Sequence, residues 1–282
     1  MTISELRTEF SAQISQLYTE SESTFIFQIF VENILELNTI QQRQLADQEV
    51  SSENEEKFQQ IISALKTGKP YLQILGETEF YGMKFFVDEN VLIPRPETEE
   101  LLEIAIHKIQ SLPLSHSVLK ILDIGTGSGI IPLVLKKHFP NAEISSIDFS
   151  EKALKTARKN ADYHSLDVQF IHADYLQFAL EERYDVIISN PPYIGIEEEI
   201  EIADSVKEFE PKMALFSPTS DALIFYRKIA EDAKEHLKND GLLFLEINQK
   251  LGPETLELYN YLSNAQLLKD LSENDRFIYG KK

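Results

Sequence analysis

The chain has 282 residues, 43% of them hydrophobic and 26% charged, a composition that fits a globular domain plus a smaller appended unit. It has no cysteine, which excludes disulfides and thiolate metal sites, and 47 acidic against 27 basic side chains give a net charge of −20 that opposes a grip on long nucleic acid. The acidity reads most simply as solvated helix faces, although a local basic groove stays open.

No apolar run approaches membrane-span length, and the start, Met1-Thr2-Ile3-Ser4-Glu5, lacks the basic and apolar regions of a signal peptide. A cytoplasmic protein that does not bind a membrane is expected. The histidines, among them His107, His116, His138, His164 and His172, show no metal-ligand spacing and read as surface or loop residues.

Residues 1–70 carry helical signals. Thr2-x-x-Glu5 has the form of a capping box, followed by Ile3, Leu6, Phe10, Ile14 and Leu17 at helical spacing. A second helix is expected over 22–37, and a third from Ser52-x-x-Glu55 through Phe58, Ile61, Ile62 and Leu65 to a stop at Gly68-Lys69-Pro70. This predicts a small helical bundle. Residues 71–95 read as a β-hairpin linker, because Gln73 to Val91 alternates apolar residues around Gly76 and Gly82.

From residue 96 to 282 strands alternate with helices. Strands are expected at 120–124, 143–148, 168–172, 184–189, 241–247, 266–271 and 277–279, with helices near 97–112, 130–138, 151–163, 221–237 and 253–263. Short apolar strands separated by helices favour a doubly wound, mostly parallel α/β sheet. The last two strands lie too close for a crossover helix, so they predict an antiparallel edge hairpin.

Two loops in this half carry chemistry. After the first strand comes Asp123-Ile124-Gly125-Thr126-Gly127-Ser128-Gly129-Ile130, which opens a helix, and Asp148 ends the next strand. Glycines let a backbone approach a ligand closely, and an acidic side chain at the second strand end can accept hydrogen bonds from both ribose hydroxyls of a nucleoside cofactor. The alternative role of Asp148 is a cap for the helix beginning near Ser150. Dinucleotide sites use Gly-x-Gly-x-x-Gly, whereas this loop is Gly-x-Gly-x-Gly with Asp123 ahead of it, where a carboxylate can face an ammonium. S-adenosylmethionine (AdoMet) has no phosphate and carries a sulfonium and an ammonium, so this acidic loop suits AdoMet better than NAD.

The second loop is Asn190-Pro191-Pro192-Tyr193, directly after the run Tyr184 to Ile188. Two prolines fix φ and remove two backbone donors, so the strand must end there. A carboxamide, free carbonyls and an aromatic ring are left at a strand's carboxyl end, a clamp for a planar NH2 group. A plain Pro-Pro turn is the structural alternative, with Tyr193 as a hydrophobic plug. Arg95, between Pro94 and Pro96, either borders the same pocket or caps the surface beside the acidic turn Glu97 to Glu100.

Together, Ile93-Pro94-Arg95-Pro96-Glu97-Thr98-Glu99, the Asp123 to Gly129 loop, Asp148 and Asn190-Pro191-Pro192-Tyr193-Ile194 resemble the PrmC (HemK) family, the peptide chain release factor glutamine methyltransferases. Further likeness lies at Tyr71 to Gly76, Phe80-Tyr81-Gly82, Phe209-Glu210-Pro211 with Ala214-Leu215, and Asp270 to Arg276. The resemblance spans residue 70 to the end, and the N-terminal bundle fits the family's release-factor-binding domain by position.

It implies a Rossmann-like AdoMet-dependent methyltransferase domain at 96–282, a docking domain at 1–70, and methylation of the glutamine N5 in the Gly-Gly-Gln loop of release factors. It implies cofactor binding by Gly125, Thr126, Gly127, Ser128, Gly129, Asp148, Tyr175 and Asn190. Asn190, Pro191, Pro192 and Tyr193 would hold the substrate amide, with Asn190, Pro191 and Tyr193 as the catalytic residues. A monomer with a release factor as partner and without stable nucleic acid binding is expected.

The chain departs from the family pattern at Glu273, where glycine is usual, and at Ala173-Asp174, where Gly-Asp is frequent. Two other acceptors stay open: a ribosomal protein glutamine, and the adenine or cytosine amino group, which presents a similar planar NH2 after base flipping. A catalytically silent binding module would be expected to have lost the amide clamp, which is intact here.

Overall fold

The computed structural model describes residues 1–112, 118–195 and 204–282. His116, read above as a surface or loop residue, lies outside them. Contacts divide the described chain into two units, one of residues 1–76 with the helix Asp204–Phe209, the other of residues 77–195 and 210–282.

The first unit is built from capped amphipathic helices. Ile3–Ile14 starts at the expected Thr2/Glu5 capping box. The helix Glu20–Leu35 starts two residues before the expected position, because Thr19 and Glu22 form a second box. A short helix, Thr39–Gln44, capped by Asn38, was not expected. In Ser52–Lys66 the cap is Ser51 rather than Ser52: the Ser51 hydroxyl accepts from the Asn54 N–H. The apolar faces meet in a core where Phe10, Phe27 and Phe58 pack ring to ring at 5.4, 5.7 and 6.5 Å. Each such buried side chain contributes about 1.5–3 kcal/mol.

Tyr71–Leu75 is a helix, not the first part of a hairpin. Pro70 stands at its start and Gly76 ends it at φ +77, while Tyr71, Ile74 and Leu75 pack on the helical core at a spacing of three and four. The hairpin is confined to β1 (Glu77–Phe80) and β2 (Met83–Phe86). Tyr81 and Gly82 turn it with φ of +51 and +66, the left-handed pair that suits strand twist.

The second unit centres on a seven-stranded sheet: β3 (Lys120–Ile124), β4 (Glu143–Asp148), β5 (Gln169–His172), β6 (Tyr184–Ser189), β7 (Leu237–Glu246), β8 (Ser263–Lys269) and β9 (Asp275–Lys281). Their order is β5-β4-β3-β6-β7-β9-β8, parallel except for the antiparallel pairs that β9 makes with β7 and β8. The side-chain alternation of the central strands separates two cores. Ile121, Val186, Ile188, Leu242 and Phe244 join one cluster, and Leu122, Ile187, Leu243 and Leu245 the other. The sheet is therefore covered on both faces, by helices such as Pro96–Gln110 on one and Ile224–His236 on the other. The helix expected over 253–263 is only Gly252–Glu257, and β8 begins earlier than expected. Among the described residues, no helix is long and apolar enough to cross a membrane.

Candidate active site

The chain leaves β3 towards β4 and β5 on one side and returns on the other flank as β6. The carboxyl ends of β3 and β6 thus border the point where strand order reverses, the crevice where open α/β sheets bind ligands. The Ser189 hydroxyl donates to the Ile124 carbonyl at 2.7 Å and ties the two ends together. A cavity of about 510 Å3 opens there. Gly125, Thr126, Gly127, Ser128, Asp148, Tyr175, Asn190, Pro191 and Pro192 all form part of its wall, whereas Gly129 and Tyr193 do not.

The glycine loop is fixed from below. The N–H groups of Gly125 and Thr126 both donate to the Ile147 carbonyl, at 2.9 and 3.2 Å, and Gly125, Gly127 and Gly129 have φ of +88, +54 and +85. Gly129 serves packing: a Cβ there would lie 3.2 Å from Ala157 and Leu133 side-chain atoms. Asp148 accepts from the Gly127 N–H through Oδ2 at 2.9 Å and from the Ser150 N–H through Oδ1 at 2.8 Å. The helix Glu151–His164 is capped by the Ser150 hydroxyl, so Asp148 orders the loops on both sides of it. Burial pushes the Asp148 carboxyl up, and the Gly127 and Ser150 donors and then His172 pull it back. Each carboxylate oxygen keeps a lone pair for a hydroxyl in the cavity.

Asp123, expected to face an ammonium, is completely buried outside the cavity wall. It accepts from Ser146 at 2.5 Å, and its Oδ1 has no hydrogen-bond partner among the described residues. Burial raises its pKa to about 7, against the Ser146 bond, with Asp148 adding to the rise. Tyr175 forms part of the cavity wall, and its hydroxyl donates to Asp232 at 2.7 Å.

At the end of β6, Asn190 Nδ2 donates to Thr98 Oγ1 at 3.2 Å, and Thr98 Oγ1 donates to Glu246 Oε2 at 2.7 Å. Among the described residues no group donates to Asn190 Oδ1 or to the Pro191 carbonyl, so two acceptors stand at the end of β6. Tyr193 packs against the core that contains Tyr226 and Tyr259, and its carbonyl accepts from Asn248 at 3.2 Å. That placement fits the hydrophobic plug, with the ring partly buried against the core.

Arg95 lines the cavity and pairs with the buried Glu210 at 2.6 Å; Glu210 also accepts from the Ile93 N–H at 3.1 Å. The Pro-Arg-Pro loop is thereby clamped to the start of Glu210-Pro211. Glu273 has φ +65, a left-handed conformation suited to the glycine usual at that position, within a turn held by Asp270. Thr98 and Glu246 were not singled out from the sequence. The available signal was a carboxylate closing the apolar run Leu242 to Leu245 at a strand's carboxyl end.

An acidic strand end, a close-approach glycine loop and largely apolar walls such as Leu92, Ile131 and Phe149 fit a nucleoside bearing positive charge, and the facing acceptors fit an NH2 group. The methyltransferase small domain model matches residues 108–208. The release factor glutamine methyltransferase of Flavobacterium psychrophilum is 45% identical, over 99% of this chain and 98% of that protein. The protein of the same name from Streptococcus pneumoniae is 42% identical over 82% of each. Two solved structures share the fold. A methyltransferase from Pyrococcus furiosus has a TM-score of 0.50 at 16% identity, covering 82% of this chain and 99% of that one. A 16S rRNA methyltransferase from Thermus thermophilus, in complex with AdoMet and guanosine, has a TM-score of 0.50 at 20% identity, covering 73% and 49%.

Proposed function

Because the chain belongs to the release factor glutamine methyltransferases, we propose that it transfers a methyl group from AdoMet to the side-chain amide nitrogen of the glutamine in the Gly-Gly-Gln loop of peptide chain release factors. The observation that carries the chemistry is a pair of acceptors, Asn190 Oδ1 and the Pro191 carbonyl, to which no group among the described residues donates, beside the Gly125 to Ser128 loop on the same cavity.

An amide nitrogen is a poor nucleophile because its lone pair is delocalised into the carbonyl. Two acceptors, each taking one N–H, fix the nitrogen and shift electron density towards it, and its out-of-plane lobe then faces the glycine loop. Bound AdoMet supplies a methyl group activated by a sulfonium whose charge disperses as the methyl leaves. Gly125, Thr126, Gly127 and Ser128 would hold the cofactor by close backbone approach, Asp148 would accept from the ribose hydroxyls, and the Tyr175 ring would lie against the adenine. Positioning and preorganised acceptors can supply most of the acceleration, so no strong base is required, and the proton leaves to water after transfer. In this reading residues 1–70 dock the release factor.

The test is incubation of the protein with labelled AdoMet and, separately, a release factor, the same factor with the Gly-Gly-Gln glutamine replaced by alanine, a ribosomal protein mixture, and DNA. Label on the intact release factor alone is expected. Label on ribosomal protein or DNA instead would replace the acceptor assigned here.

A further inference from the structure

We propose that Glu246 is a positioning residue that dictates which way the Asn190 carboxamide faces, acting through Thr98. The geometry of three groups carries this. Glu246 closes β7 and is 1% exposed, Thr98 lies in the first turn of the helix Pro96–Gln110 and is 1% exposed, and Asn190 lies one residue past β6 on the cavity wall.

A carboxylate can only accept hydrogen bonds. The single proton of the Thr98 hydroxyl is therefore committed to Glu246 at 2.7 Å, and the Thr98 oxygen can offer Asn190 only lone pairs. The atom of Asn190 that satisfies it must be Nδ2, which stands 3.2 Å away. That constraint leaves Oδ1 for the cavity that Asn190 lines. A neutral Glu246 removes the constraint: its own proton can pass to Thr98, whose proton can then go to Asn190 Oδ1. The carboxamide would be free to present its NH2 to the substrate NH2, donor against donor. The inference rests on the proposed methyl transfer for its catalytic consequence, not for its geometry.

The groups facing Glu246 come from every element packed around it. Thr98 and Glu97 come from the helix Pro96–Gln110, Asn190 and Tyr193 from the segment after β6, Tyr226 from the helix Ile224–His236, and Arg276 from β9. Tyr226 spends its hydroxyl proton on the Glu246 backbone carbonyl at 3.0 Å. Burial raises the Glu246 pKa to about 7; Thr98, Arg276 and Asn190 oppose the rise and Glu97 adds to it. The protonation that would release the carboxamide therefore falls near neutral pH.

The test uses the full chain, with Glu246→Gln, Thr98→Val and Thr98→Ser. With a release factor as acceptor, the wild type should show a kcat that rises with pH to a plateau through an apparent pKa near about 7. Glu246→Gln and Thr98→Val should lower kcat by about 10-fold or more, with AdoMet affinity by calorimetry unchanged within about 2-fold, while Thr98→Ser keeps most of the rate. Glu246→Gln should also lose the acidic limb. Independently of turnover, the 15N-labelled side-chain amide of Asn190, identified by its loss in Asn190→Ala, should shift with pH in the wild type and stay constant in Glu246→Gln. A Glu246→Gln enzyme with wild-type kcat and an unchanged pH profile overturns the proposal, and so does an Asn190 amide signal that titrates identically in both. If the wild type methylates no release factor, the functional reading fails and the amide titration still decides the role of Glu246.

Discussion

The backbone carbonyl oxygen of Asn190 lies 3.5 Å from the point where a Cβ on Gly125 would stand. The two halves of the candidate site, the glycine loop after β3 and the Asn-Pro-Pro turn after β6, meet at that contact. It exists because β3 and β6 are hydrogen-bonded neighbours whose carboxyl ends leave the sheet together, at Ile124 paired with Ser189.

Gly125→Ala should weaken the fold by about 1–2 kcal/mol, because an alanine at φ +88 pays the left-handed penalty. The added methyl meets the Asn190 carbonyl at an ordinary contact distance, so it should narrow the cleft rather than break the core. Thermal denaturation with AdoMet calorimetry checks this: a small fall in Tm should accompany a larger loss of cofactor affinity.

Asn190→Ala removes the side-chain acceptor and leaves the glycine loop intact. The expected result is a fall in kcat of about 100-fold or more, as for loss of a preorganised polar group, with AdoMet affinity within a few fold. Steady-state kinetics on a release factor, paired with calorimetry, give both numbers; retained methylation would sink the assignment of Asn190.

Asp148→Ala should weaken binding of AdoMet and of its product S-adenosylhomocysteine by about 10- to 100-fold, the range for hydrogen bonds to a charged acceptor. The KM for the release factor should move little. Part of the loss will come from the glycine loop, since Asp148 holds the Gly127 N–H. The variant Asp148→Asn, which keeps an acceptor oxygen, should fall between the two.

The buried Asp123 predicts a pH dependence of stability. Its folded pKa is raised from 3.8 to about 7, so the folded state holds a proton that the unfolded chain releases. Its stabilising contribution is complete below the unfolded pKa and is lost as pH rises through the folded value. The Tm of the ligand-free protein should fall between about pH 4 and about pH 7 more steeply in the wild type than in Asp123→Asn. Equal slopes would mean that the carboxyl is already ionised across that range.

Much of this was legible in the sequence because it is local. Short apolar runs, the glycine spacing and two consecutive prolines specify strands and their ends whatever surrounds them, and β3, β4 and β6 were expected with the bounds observed. The Tyr71–Leu75 helix was missed because apolar residues around two glycines fit strand alternation as well as helical spacing until Pro70 and Gly76 are weighed as its terminal signals. Asp123 was expected at the ligand because its position along the chain is adjacent to the loop, whereas the side-chain alternation of β3 turns it into the protein. Thr98 and Glu246 stand 148 positions apart and meet only through the packing of a helix on the sheet. No local pattern announces such a pair.

The central claim is that the acceptor atom is the side-chain nitrogen of one glutamine. A release factor treated with the enzyme and AdoMet, digested and fragmented by tandem mass spectrometry, should carry one added methyl on the Gly-Gly-Gln glutamine, released as methylamine on acid hydrolysis. A methyl located on any other residue, or an unmodified Gly-Gly-Gln peptide beside methylated ribosomal protein, would contradict the account.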